Sequence, residues 1–247
     1  MRIPRLYLDA PLSAGATLAL PDARGHYLTR VLRRDVDDAV VLFDGRGTRI
    51  SAVVSAINRR EPVQLQLADD AAHTRPDPAP VTVGIALLKG DGLDEVLQKT
   101  TELGVDAIQL LLTEHSEGRL PDDPNRAARR MEHWRAVQIS ACEQCGRDWL
   151  PALHAPTRVE TWLTQGAADN ARWLLQPDAM ISIGRLCAEA TKPLVMAIGP
   201  EGGWSSLERQ AANTAGFVEV ALGALVLRAE TAPLAALAMV NVLRQLP

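Results

Sequence analysis

No run of about 18 or more apolar residues occurs in this 247-residue chain, so no membrane-spanning helix is expected. The opening stretch MRIPRLYLDA has no apolar h-region, and it reads as lacking a secretory signal peptide. Cysteine is scarce. Cys142, Cys145 and Cys187 are an odd set that does not make a disulfide framework and fits a reducing cytoplasm. Lysine is nearly absent: Lys89, Lys99 and Lys192 stand against 23 arginines. Arginine forks suit phosphate and base recognition, but genomic composition bias produces the same imbalance. The net charge of −4 does not advertise nucleic-acid binding in the way a strongly basic domain does.

The common catalytic signatures are missing too. There is no G-x-S-x-G, no H-E-x-x-H and no Walker loop. Histidines 26, 73, 115, 133 and 154 show no metal-ligand spacing. Cys142-Glu-Gln-Cys145 lacks the second pair that a zinc site needs. It also falls at the end of its helix, not at the N-terminus that would activate a redox thiol. No metal is expected.

What is present falls into two textures. The stretch HTRPDPAP (73–80) holds three prolines in five residues and reads as an extended linker. Before it, residues 1–72 look β-rich. AVVLFDGRGTRISAVVSAI (39–57) reads as a hairpin around Asp44-Gly45, and VQLQLA (63–68) alternates like a half-buried strand. DARGHYLTRVLRR (22–34) reads as a short helix with Leu28, Val31 and Leu32 on its apolar stripe. After the linker, residues 81–247 alternate strands with helices, which predicts a mostly parallel sheet covered on both faces. Strands are expected at 81–88, 107–113, 171–176, 194–199 and 217–223, and a long helix from Asn125 to Cys145. The segment TAPLAALAMVNVLRQL is apolar nearly all round and predicts a helix covered by the core or by another subunit.

Two loops stand out in this second half. IGPEGGWS (198–205) follows a strand and precedes a Ser205–Glu208 capping box. A glycine loop at a helix start often cradles phosphate, but Glu201 would repel one. Ribose hydroxyls, an amino group or a sulfonium suit a carboxylate beside exposed backbone. A plain structural turn remains the alternative for this loop alone. LGALVLRAETA (222–232) also links a strand to a helix and carries Arg228 and Glu230. Two such loops at adjacent strand ends would form one pocket at the carboxyl edge of the sheet. Arg126, Arg129 and Arg130 share one helix face, either as an ordinary exposed surface or as a phosphate-contacting one.

Taken in order, these two loops with MRIPRLYL, HYLTRVLRR (26–34), LFDGRG (42–47), LQKTTELGV (97–105) and ACEQCGRDWLP (141–151) resemble the bacterial 16S ribosomal RNA uridine-N3 methyltransferases of the SPOUT class. The resemblance covers nearly the whole chain. It implies an α/β protein: an N-terminal PUA-like β-barrel over 1–72, and a C-terminal SPOUT domain over 81–247 with a mostly parallel sheet and a deep trefoil knot. It implies S-adenosyl-L-methionine as cofactor, held by the backbone near Leu174–Gln176 and by Gly199, Glu201, Gly202, Gly203, Leu222, Gly223, Leu227 and Thr231. Arg228 is then expected to stabilise a uracil anion, with Glu201 or Glu230 taking the N3 proton. Arg30, Arg33, Arg34, Glu143, Gln144 and Arg147 are expected on the RNA side, and Lys99 and Glu102 toward the active site. The implied partners are 16S ribosomal RNA within the 30S subunit and a second copy of the chain, packed through the knot domain in the cytoplasm. The chain departs from the family pattern at His115 and Leu225, where arginine is usual, and at Ala229, where threonine is. The competing readings are a SPOUT enzyme with another target (a ribose 2′-O position or tRNA) and a noncatalytic RNA-binding ribosome-assembly factor.

Overall fold

The computed structural model describes residues 3–245 apart from 59, 75–76, 91 and 166–168, and only the backbone of 187 and 188. Of the proline-rich stretch 73–80, residues 75 and 76 therefore lie outside the described residues. The chain divides into two compact units, Met1–Pro76 with Cys142–Leu150, and Asp77–Ala141 with Pro151–Pro247.

The first unit is built on a five-stranded sheet. Its strands are β1 (Arg5–Tyr7), β2 (Thr17–Ala19), β3 (Ala39–Phe43), β4 (Thr48–Ala56) and β5 (Gln64–His73), in the order β1-β3-β4-β5-β2. β3 and β4 form the expected antiparallel hairpin. Its turn is fixed by the Asp44 carboxylate, which accepts from the amides of Arg46 (2.7 Å) and Thr48 (3.0 Å). Gly45 and Gly47 supply the left-handed backbone at φ 73° and 97°. Alternation in β4 sends Ile50, Ala52 and Val54 inward. Two register shifts between β4 and β5 bend the sheet around this core.

The helix expected over 22–34 is helix α1 (Asp22–His26) continued by a π turn, Tyr27–Val31. The wider winding changes the phase that a 3.6-residue period sets. Leu28 is buried as expected and Val31 turns out to solvent, while Leu32 packs against the core as expected. Its amide reaches back five residues, to the Tyr27 carbonyl at 3.0 Å.

Cys142–Leu150 groups with this sheet through buried charge. Asp148 is 5% exposed and binds Arg5 at 2.7 Å and Arg49 at 3.4 Å. Glu143 accepts from the Tyr7 amide at 2.9 Å and pairs with Arg24. Gly47 lies against the Trp149 ring so closely that an added Cβ would stand 2.6 Å from it.

The second unit carries β6 (Val81–Ala86), α2 (Gly92–Glu102), β7 (Ala107–Leu112), α3 (Pro124–Cys145, whose last turn belongs to the first unit), β8 (Ala152–Arg158), α4 (Val159–Leu163), β9 (Ala171–Leu175), α5 (Cys187–Ala190), β10 (Leu194–Ile198), α6 (Ser206–Thr214), β11 (Val218–Val220) and α7 (Thr231–Gln245). The six strands pair in the order β11-β9-β10-β6-β7-β8, and every pairing is parallel. The expected strands appear within a few residues of their sequence-based limits. β8 was not anticipated. It is a largely exposed edge strand with Pro156 in it, so it shows neither a buried run nor an alternation. On α7, Pro233, Ala236, Leu237 and Val240 enter the core, while Val242 on the opposite side is exposed.

Strand order decides where a ligand can sit. β6, β7 and β8 extend the sheet one way, whereas β9 and β11 lie on the other side. β10 is inserted between β9 and β6. The carboxyl ends of β9, β10 and β11 therefore adjoin where the strand order reverses.

Candidate active site

A cavity of about 500 Å³ opens at those three strand ends, within the size range of small-molecule sites. Each strand contributes the residues that follow it. From β9 come Leu175, Gln176 and Pro177; from β10, Ile198–Glu201 with Gly203 and Trp204; from β11, Leu222–Gly223 and Leu225–Glu230.

The β10 loop is held from several sides. Gly199 lies flat on the Trp204 indole, where an added Cβ would approach to 3.0 Å. The indole N–H donates to the Leu175 carbonyl at 3.2 Å, joining this loop to the end of β9. Pro200 to Gly203 form a tight turn closed by the Gly203 amide on the Pro200 carbonyl at 2.9 Å, with Gly203 at φ 73°. The expected capping box is complete, with Ser205 Oγ accepting from the Glu208 amide and the Glu208 carboxylate from the Ser205 amide. The other Glu208 oxygen accepts from the Glu114 amide at 2.8 Å, so this buried carboxylate also ties in the loop after β7.

The β11 loop is different in character. Leu225 and Val226 are 80% and 78% exposed. The Arg228 carbonyl accepts from the amides of Thr231 and Ala232 at 3.0 Å each, which starts α7. Among the described residues, no hydrogen bond or ion pair engages the side chains of Glu201, Arg228 or Glu230. One cation and two carboxylates therefore face an otherwise mostly apolar cavity, and all three are available to a ligand.

Gly199, Glu201, Gly203, Leu222, Gly223, Leu227, Arg228 and Glu230 line this space, whereas Leu174, Gly202 and Thr231 do not. Strand alternation turns Leu174 to the opposite face, into a cluster with Trp162 and Phe217. Gly202 instead faces His115. Trp204, Val220 and Val226 line the cavity without having been singled out from the sequence, whereas Gln176 lies at the end of the 174–176 stretch that the resemblance placed beside the cofactor.

Residues 75–241 match a family profile described as an RNA methyltransferase domain, and residues 20–66 match an RNA methyltransferase PUA domain. The ribosomal RNA small subunit methyltransferase E of Synechocystis sp. is 37% identical over 232 residues, 92% of this chain and 74% of that protein. The chain belongs to this RNA methyltransferase family. Its Mycobacterium tuberculosis relative of the same name is 32% identical over 96% of this chain and 90% of that one. A crystal structure of the Neisseria gonorrhoeae methyltransferase E, bound to S-adenosyl methionine, is 33% identical, with a TM-score of 0.89 over 98% of both chains.

The other residues expected to serve this methyltransferase lie elsewhere. Arg30 and Arg33 are exposed in the first unit, Arg33 with a left-handed φ of 52°, and Arg34 is half-buried. Glu143, Gln144 and Arg147 belong to the first unit, and one Glu143 oxygen is committed to Tyr7 and Arg24. Lys99 pairs with Glu102 at 3.0 Å along α2, and neither lines the cavity.

The C-x-x-C pair has contrasting members. Cys142 is buried, and burial is the main force pushing its pKa up to about 12, with Cys145 nearby adding to it. Its thiol points to the Trp149 carbonyl at 3.7 Å. Cys145 is exposed. A thiolate is the reactive form, so a maleimide applied near pH 7.5 should label Cys145 and spare Cys142. Site-resolved mass spectrometry checks this, and equal labelling would contradict the buried-thiol assignment.

Proposed function

We propose that this chain transfers a methyl group from S-adenosyl-L-methionine to N3 of a uridine in 16S ribosomal RNA. The observation that carries the proposal is the cavity itself: apolar walls, backbone left open by Gly199, Gly203 and Gly223, and Glu201, Arg228 and Glu230 free at its surface. This donor set fits an adenosine bearing a sulfonium. Glycines admit close backbone approach, a carboxylate accepts from ribose hydroxyls or an amino group, and negative charge favours the sulfonium. It does not fit a phosphate, which Glu201 would oppose. The gonococcal relative with its bound cofactor supports the same reading.

Bound S-adenosylmethionine supplies an electrophilic methyl group: an N3–carbon bond forms, the sulfur–carbon bond breaks with its pair going to sulfur, and N3 loses its proton. The protein's part is alignment and charge. Holding nucleophile and electrophile in line can supply about 7–11 kcal/mol of the barrier. Arg228 stabilises the uracil oxygen as negative charge develops. Glu201 or Glu230 accepts the proton, and the cavity offers both. The arginines of the first unit meet RNA phosphates.

Purified protein incubated with labelled cofactor and 30S subunits lacking the modification should yield N3-methyluridine, read by nucleoside mass spectrometry. A 2′-O-methyl product, or methylation of tRNA alone, would replace this reading by the corresponding one. No binding of S-adenosylhomocysteine in calorimetry would favour a noncatalytic assembly factor. The assembled 30S particle is the preferred substrate in this reading, and equal rates on naked 16S transcript would count against it.

Three further proposals follow. Insertion of β10 between two strands laid down earlier supports a chain threaded as in the knotted SPOUT class. Exposed Leu225, Val226 and Val242 support a dimer formed through the second unit. Sedimentation equilibrium should return twice the chain mass, and a monomer at micromolar concentration would exclude the dimer. With no helix among the described residues long and apolar enough to cross a membrane, the proposed site of action is the cytoplasm, where the small subunit is assembled.

A further inference from the structure

The glycine loop after β10 poses a conformational problem. Gly199, Gly202 and Gly203 lose more freedom on ordering than other residues would, and loop ordering is subtracted from ligand affinity unless it is met in advance. Among the described residues, the one hydrogen bond that closes the turn within the loop is that of the Gly203 amide on the Pro200 carbonyl. Trp204, Ser205 and Glu208 anchor its far end. The contacts that reach its middle come from another strand end, the loop after β7. His115 Nδ1 lies 3.1 Å from the Gly203 carbonyl oxygen. A carbonyl only accepts, so Nδ1 carries the hydrogen. The His115 Cβ stands against Gly202 so closely that a Cβ added to the glycine would approach it to 2.8 Å. Next to His115, the Glu114 amide is held by the Glu208 carboxylate, which is 2% exposed. The histidine is therefore mounted on a segment that the capping-box residue itself fixes.

The geometry assigns His115 as a positioning residue for the cofactor loop: its Nδ1–H holds the Gly203 carbonyl and its Cβ buttresses Gly202, so that the Gly199–Gly203 wall stands preformed for the ligand. His115 does not line the cavity and acts only through the loop. The assignment rests on the cavity being the S-adenosylmethionine site. It also gives Gly202 a reason to be glycine that cofactor contact does not: its α-carbon meets His115 behind the wall.

The test uses the full chain, S-adenosylhomocysteine calorimetry and steady-state turnover on 30S subunits. His115→Ala should raise Kd for S-adenosylhomocysteine and KM for the cofactor about three- to tenfold, the range of one neutral hydrogen bond. At saturating cofactor, kcat should stay within about twofold, because the loop is ordered once the ligand is bound. The unfolding midpoint should not move, as the side chain is exposed. His115→Asn, whose amide N–H can take the place of Nδ1–H, should recover most of the affinity. Gly202→Ala should weaken binding further, and adding His115→Gly should restore part of it by removing the opposing Cβ. An unaltered Kd in His115→Ala, or strictly additive losses in the Gly202→Ala/His115→Gly pair, overturns the assignment alone. No binding of S-adenosylhomocysteine by the unsubstituted protein overturns the methyltransferase reading and the loop assignment with it.

Discussion

Arg228→Ala should lower turnover by about 100- to 1,000-fold, the usual loss when a preorganised charge donor is removed from a developing anion. The fold should be indifferent to the change. Arg228 contributes its backbone carbonyl to the start of α7, and alanine keeps that carbonyl. Its guanidinium has no partner among the described residues, so no structural ion pair is lost. S-adenosylhomocysteine should bind within a few-fold of wild type, because the carboxylate and the glycine backbone that favour the cofactor are untouched. Arg228→Lys should recover only part of the rate, since it restores the charge without the planar fork. The decisive comparison is kcat on 30S subunits against calorimetric Kd for S-adenosylhomocysteine. Unchanged turnover removes Arg228 from the mechanism, and a parallel collapse of cofactor binding reassigns it to binding.

The second large effect concerns stability. Asp148→Ala should destabilise the first unit by about 3–5 kcal/mol, the usual penalty for stripping one partner from a buried ion pair. Asp148 serves two arginines at once, and the Arg5 side chain is itself only 11% exposed. Arg5 keeps the Arg147 carbonyl at 3.1 Å and its position over the Phe43 ring, but neither neutralises a buried guanidinium. For a unit of this size, the unfolding midpoint should fall by more than about 10 °C. Asp148→Asn, which keeps an acceptor without the charge, should fall between the two. Scanning calorimetry on the full chain measures this, and a shift under about 2 °C would show that Arg5 finds solvent without help from Asp148. By the same argument, residues 1–76 expressed alone lack both Asp148 and Glu143, and should be less stable than the unit within the whole chain.

The legible parts of this protein were those with short-range causes. The β3–β4 hairpin announced itself through β-branched runs around Asp44-Gly45. The α6 start was read from Ser205 and Glu208, and the capping box appears atom for atom. The strand-loop-helix units around Glu201 and around Arg228–Glu230 needed only a strand pattern, small residues and a following helix. The misplaced side chain is one for which spacing alone was followed: Val31 was rotated out by a π turn that no period of 3.6 anticipates. Leu174 was expected beside the cofactor only through the family resemblance, and strand alternation turns its side chain to the other face of the sheet.

By itself, then, the sequence determined a β-rich first part, a parallel α/β second part, and two acid-bearing glycine or small-residue loops fit for a cofactor. Each of these follows from residues a few positions apart, through side-chain period, turn chemistry and helix caps. The tertiary structure alone decided that β10 enters between β9 and β6 and brings three strand ends around one cavity. It also decided that His115 backs the glycine loop across 88 residues, and that Asp148 returns to Arg5 across 143. These arrangements come from burying charge and closing a core between distant segments. A pairing at such separation leaves no periodicity in the chain, because its energy depends on partners meeting in space and not on their order along it.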